Sequence, residues 1–468
     1  MQCYLKLNNC TFASSMQSNS TSTLQVEINN KSIIKMALPI SMAILIPQLN
    51  FVTNNIFLGH FTDDPAALAV AGITGVYYLI FAAIGYGLNN GLQTLIARRA
   101  GENRPEEIGK LFSQGIITGL ILAITGILLT YTLTPVLFGA IIKDSVTLDK
   151  AISFLQIRIW GLPFLYVYQL RNALLVGTNQ SRYLVAGTIA EASANVILDY
   201  LLIFGFGAIP ALGFNGAAIA SILAEAIGML VIYWVIHRKG ITKQFSLFTN
   251  ISWNTEVQGS IFNISAPLMF QHAISIVSWQ YFFLLVEHQG SMALKVSNVM
   301  RNVFGVFGCF CWAFAATANS MISNIIGQGR LEEVPGLINK IIRISLSTVF
   351  FVVLVLNFFP GSFLSLFGQG PLFIEEAIPV LRVVTAALLL SCIATVFLNA
   401  VTASGNTRIT LLIEIGAIIS YCTYIYLSLE YFQLSLTIAW MSEWIYWLCL
   451  LTPSFLYMRS NRWKGKRI

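Results

Sequence analysis

The chain has 468 residues, of which 56% are hydrophobic and only 10% charged, with a mean hydropathy of +0.74 and a formal net charge of +7. An average soluble domain carries about 25% charged residues, so a soluble globular fold of this length is excluded. The apolar residues come in long blocks, without the alternating segments of roughly ten residues that build a membrane β-barrel, so that class is excluded as well.

A block of about 20 apolar residues crosses a hydrocarbon core of about 30 Å as a helix. Such blocks lie, in chain order, at Ile33 to Leu58, Ala66 to Ala97, Ile108 to Thr134, Ala151 to Val176, Tyr183 to Phe206, Gly213 to Ile236, Ile261 to Val286, Met292 to Ile326, Val334 to Phe359, Ile374 to Val401, Ile409 to Leu429 and Leu434 to Met458. They predict an all-α integral membrane protein of twelve transmembrane helices. Of the 27 Lys and Arg residues, 20 fall in the termini and the even-numbered loops, and 3 (Lys143, Lys150 and Lys295) in the odd-numbered loops. The other 4 (Arg158, Arg171, Arg301 and Arg382) fall within or at the ends of spans. Short cytoplasmic loops hold the excess of basic residues, so both termini are expected on the cytoplasmic side of the cell (inner) membrane. Topology and a basic C-terminal tail (residues 459–468) that can meet anionic lipid explain the positive charge, and no nucleic-acid partner is implied.

Residues 1–30 are rich in Ser, Thr, Asn and Gln and read as a disordered cytoplasmic tail. The seven cysteines give neither a disulfide framework nor a metal site: Cys309 and Cys311 diverge on a helix, and no His accompanies them.

The chain repeats itself. Gly101-Glu-Asn-Arg104-Pro-Glu106-Glu107-Ile108 recurs as Gly327-Gln-Gly-Arg330-Leu-Glu332-Glu333-Val334, an offset of 226, and the same offset carries Arg182 onto Arg408. Pro39 and Pro267 also correspond, near the start of the first span of each half. Two halves of parallel topology follow, a 6+6 arrangement with an N-lobe at residues 31–236, a cytoplasmic linker at 237–260 and a C-lobe at 261–458. Two such bundles, rocking about a central cleft, form a transporter architecture.

Within the fifth span, Glu191, Asn195 and Asp199 are four residues apart and share nearly one helix face. An ionisable group at bilayer depth costs roughly 2.5–3.5 kcal/mol, so this face is expected to line a cavity and bind something, the alternative being a polar contact between helices.

At this point the chain resembles the multidrug and toxic compound extrusion (MATE) family. The resemblance rests on the paired loop motifs, on Val52-Thr-Asn54-Asn-Ile-Phe-Leu-Gly59, on Asn195-Val-Ile-Leu-Asp199-Tyr-Leu-Leu-Ile-Phe-Gly205 and on Gly216-Ala-Ala-Ile-Ala220, and it runs from about Lys31 onward. It implies an antiporter that exports organic, often cationic, compounds in exchange for H⁺ or Na⁺. The superfamily also contains flippases for lipid-linked precursors, the alternative reading. In the family the cation site pairs a first-span acid with Asn-x-x-x-Asp on the fifth span. Here Asn195 and Asp199 match, but the first-span position is Asn54, which offers an oxygen ligand without charge or proton. Coupling would then rest on Asp199, with Glu191 beside it and transient Na⁺ as the metal alternative to H⁺.

Further polar residues inside spans are Glu225, Glu414 and Glu443, which either line a cavity or pair with Arg158, Arg301 or Arg382, and His272, either a protonation site or a structural ring. Pro39, Pro47, Pro163 and Pro267 can kink their spans. No catalytic constellation and no cofactor motif is present; the expected partners are the bilayer, a small-molecule substrate and the coupling ion, with the protein a monomer.

Overall fold

The computed structural model describes residues 24–60, 65–207, 210–249, 251–466 and 468, with the side chains of residues 49–60, 65–69, 71 and 141 outside that description. The helices are α1 (Asn30–His60), α2 (Pro65–Gly101), α3 (Pro105–Ile141), α4 (Ser145–Arg158), α5 (Leu162–Gly177), α6 (Leu184–Phe204), α7 (Phe214–Arg238) and the short α8 (Ile241–Gln244). The second half follows with α9 (Thr255–Glu287), α10 (Ser291–Gly327), α11 (Val334–Phe358), α12 (Pro360–Ser365), α13 (Pro371–Ala403), α14 (Thr407–Tyr426), α15 (Leu436–Ala439) and α16 (Ser442–Arg459). Among the described residues ten helical segments are long and apolar enough to cross a membrane; α1 and α16 occupy the first and twelfth predicted spans. Side chains such as Leu128, Val136, Phe351 and Leu412 are more than half exposed, as a lipid-facing surface requires.

Two predicted spans depart from a single regular α-helix. The fourth is α4 and α5 joined by a tight turn at Ile159–Gly161, because Pro163 stands in the first turn of α5 and supplies no backbone donor. The twelfth begins with the separate turn of α15. Asp144 caps α4, accepting from the Thr147 backbone N–H at 2.9 Å.

The halves meet mainly where α2 packs on α9 and α10, and α1 on α10. The α2–α10 contact obeys the 226-residue repeat down to single bonds. Gln93 Nε2 donates to the Ala316 carbonyl at 2.9 Å, and its repeat mate Asn319 donates to the Asn90 carbonyl at 3.2 Å. A methyl group at Gly101 would overlap the Asn324 carbonyl oxygen, and one at Gly327 the Arg98 carbonyl oxygen. Only glycine lets two backbones approach this closely.

Residues 24–29, placed by composition in a disordered tail, are instead held across both halves. Asn324 accepts from Val26 N at 3.1 Å and donates to the Leu24 carbonyl at 3.0 Å, Gln25 donates to the Gly101 carbonyl at 3.0 Å, and Lys340 to the Ile28 carbonyl at 3.2 Å. Leu24 and Val26 are buried. A stretch with three apolar residues among polar ones is too short a signal for composition to register.

Candidate functional site

Helix α6 carries Thr188, Glu191, Asn195 and Asp199 along one stripe, a heptad-like spacing that keeps all four on one side of a helix. Thr188, Asn195 and Asp199 are buried, whereas Ile189, Ile197 and Tyr200 on the opposite side are exposed to the bilayer. The helix ends at Gly205, whose φ of 78° closes the last turn. Helices α1 and α7 pack against α6. Asn54 lies on α1, and its side chain is outside the described residues.

Two arginines flank this stripe. Arg158, at the end of α4, forms an ion pair with Glu225 of α7 at 2.5 and 3.1 Å, and its guanidinium lies 3.7 Å over the Tyr78 ring. Tyr78 in turn bonds Glu225 at 3.4 Å. Gly161 leaves room for the pair, since a Cβ there would collide with both partners. The second, Arg171, lies 3.3 Å over the Tyr168 ring and donates to Thr188 Oγ1 at 2.8 Å, while the Tyr168 hydroxyl contacts Glu191. Of the two roles open to Glu225, pairing with Arg158 is the one observed.

The second half holds a separate carboxyl cluster. Glu414 on α14 accepts from Gln271 at 3.1 Å and from Ser275 and Tyr446. Glu443 accepts from Trp447 Nε1 at 3.1 Å. Among the described residues neither is within ion-pair distance of Arg301 or Arg382: Arg301 donates to Asn298 at 2.8 Å and stacks on Phe283, and Arg382 is exposed. His272 meets the Tyr86 ring edge-on at 4.9 Å. Cys311 and Cys392 bring buried thiols to 3.0 Å across α10 and α13.

The polar seam between α2 and α10 went unnoticed in the sequence. Thr94 Oγ1 bonds Asn319 at 2.8 Å, Ser323 Oγ bonds the Thr94 carbonyl at 2.7 Å, and Arg98 reaches the Ser323 and Ala403 carbonyls at 3.2 and 3.0 Å. The signal existed: the repeat offset places Gln93 on Asn319, Thr94 on Ser320 and Arg98 on Asn324, all polar pairs at the end of an apolar block.

A family model described as MatE matches residues 39–201 and again 267–427, one match per half and together more than half of the chain. The chain belongs to the MATE family of transporters. The first match contains Asn54, Glu191, Asn195 and Asp199, and the second Gln271 and Glu414. Similar proteins include the probable multidrug resistance protein NorM of Thermotoga maritima, 22% identical over 94% of each chain. Another is the multidrug export protein MepA of Staphylococcus aureus, 23% identical over 83% of this chain and 85% of that one. Among solved structures, a multidrug resistance MATE family transporter in an outward-facing conformation superposes with a TM-score of 0.84 at 18% identity, covering 94% of this chain and 97% of that one. This transporter therefore shares the MATE fold and is a multi-pass membrane protein of a multidrug efflux family.

Proposed function

We propose that this transporter is a secondary antiporter that exports organic cationic or amphipathic compounds in exchange for H⁺ or Na⁺. Two six-helix lobes, residues 31–236 and 261–458, expose the substrate alternately to the two sides, with both termini cytoplasmic. The observation that carries the reading is the buried α6 stripe: Asp199 at 1% exposure and Asn195 at 4%, with Glu191 beside them and α1 packed alongside. Ionisable side chains at bilayer depth are costly to insert and mark ion and proton pathways. Exchange follows if ion and substrate favour opposite states of the N-terminal lobe, which requires differential affinity for the two states. The multidrug names of the relatives support the substrate class. The flippase alternative would need Arg301 and Arg382 to meet a phosphate in the cleft; Arg301 is engaged with Asn298 and the Phe283 ring, which favours the antiporter. Purified protein in sealed vesicles, loaded with a fluorescent organic cation, tests the proposal. An imposed inward H⁺ or Na⁺ gradient should drive efflux against the cation's own gradient; equilibration alone, with neither ion accelerating it, would contradict antiport.

A further inference from the structure

We propose that the ends of α1, α6 and α7 on the Arg182 side of the molecule form a binding site for an anionic phosphate headgroup, that of a phospholipid in the adjacent leaflet. A cavity of about 460 Å³ lies there, lined by Lys35 of α1, Asn179, Gln180 and Arg182 of the α5–α6 connection, and Lys239 and Gln244 beyond α7. No acid lines it. The walls are built rather than incidental. Ser181 Oγ ties the connection to α1 through the Met36 carbonyl at 3.2 Å, and Gln180 bonds Gln244 at 3.3 Å. Asn179 turns the chain with a φ of 61°, a left-handed conformation that Asn tolerates. Arg182 donates to the Tyr183 hydroxyl at 2.7 Å and lies 4.7 Å from its ring, with Lys239 Nζ 5.9 Å from the same ring.

Several other basic residues on this side have acid partners. Arg99 and Arg104 are paired with Glu102 and Glu107, Arg330 with Glu333, and Lys464 with Glu332. Among the described residues, Lys35, Arg182 and Lys239 have no carboxylate within ion-pair distance. Three like charges around one cavity raise a positive potential that an anion relieves, and their donors with the flanking amides suit phosphate oxygens. Basic pockets between membrane helices at the cytoplasmic surface take phospholipid headgroups. The exposed apolar surface beside the cavity favours a lipid over a free anion: Ile34 and Leu38 flank Lys35 on α1, and Trp234 lies on α7 beneath Arg238, whose guanidinium is 5.5 Å from its ring. Acyl chains of a bound lipid would follow that wall. Assignment to the cytoplasmic leaflet rests on the topology proposed above, whereas the site itself does not.

The full-length protein in nanodiscs of phosphatidylcholine alone, or of an equal mixture with phosphatidylglycerol, tests this by native mass spectrometry of retained lipid. Wild type should retain phosphatidylglycerol in preference to phosphatidylcholine, and each of Lys35→Gln, Arg182→Gln and Lys239→Gln should weaken that preference about five-fold. The control Arg459→Gln should leave it unchanged, and an unaltered melting temperature in phosphatidylcholine shows that the variants fold. Equal retention by wild type and the triple variant would overturn the site. Retention without preference for phosphatidylglycerol, together with thermal protection by inorganic phosphate that the triple variant loses, would overturn the lipid as its occupant. Neither result depends on transport, so failure here is distinguishable from failure of the antiport reading.

Discussion

Arg158 and Glu225 show how the first half holds a buried pair of opposite charges. Arg158 has an acid partner 2.5 Å away, an aromatic face beneath it and a glycine making room, which are the conditions under which a buried ion pair holds together. Removing one member strands the other. Glu225→Gln should therefore lower stability by about 3 kcal/mol, whereas replacing both Arg158 and Glu225 by Met should recover most of the loss. Thermal unfolding of the purified variants in detergent checks this; a single variant as stable as wild type would show that the pair is solvated. The Asn-x-x-x-Asp spacing was legible in the sequence because a four-residue interval fixes a helix face. The Arg158–Glu225 partnership was not, because 67 residues separate the two and several acids were equally available on paper.

Helices and their junctions give two further tests. Asp144 caps α4 through the Thr147 backbone and hydroxyl, and those bonds hold its carboxyl below the ordinary Asp value of 3.8. A depressed folded value means that the stabilisation is fully present above about pH 4 and is lost as pH falls through the lower folded value. Amide exchange at Thr147 should accordingly stay slow at neutral pH and quicken only in acid, and Asp144→Ala should abolish the difference. At the α2–α10 junction, Gly101→Ala forces a methyl into the Asn324 carbonyl, so the helix ends must separate. Spin labels at Arg104 and Arg330 should report a wider distance in that variant. The same change at Gly416, where nothing lies within 4 Å, should leave the distance unchanged; an unmoved Gly101→Ala would show that the junction is compliant. The spans were legible because each is an unbroken apolar block. The tightened turn at Ile159–Gly161 was less so, since Pro163 signals a kink without fixing its form, and the strap of residues 24–29 was hidden because most of its bonds reach residues about 300 positions away.

At the scale of the whole molecule, the repeat of 226 residues appears both as two separate matches to one family and as paired bonds across the α2–α10 seam. Chemistry does not follow the repeat. Asp199 falls on Ile425 and Asn195 on Tyr421, while Glu414 falls on Thr188 of the α6 stripe and Glu443 on Ala217. The 20-to-3 loop asymmetry predicts that cysteines introduced at Ser460 and at Gln369 label from opposite faces of sealed membranes, and labelling from one face would contradict the twelve-span topology. The central claim is that the α6 carboxyl carries the coupling, and Asp199→Asn tests it most directly, because the amide preserves shape and hydrogen bonding while deleting charge and titration. Reconstituted in vesicles under an imposed ion gradient, the variant should fold and bind substrate yet fail to drive uphill efflux; uphill efflux at the wild-type rate would contradict the account and move the coupling to Glu191, Glu414 or Glu443.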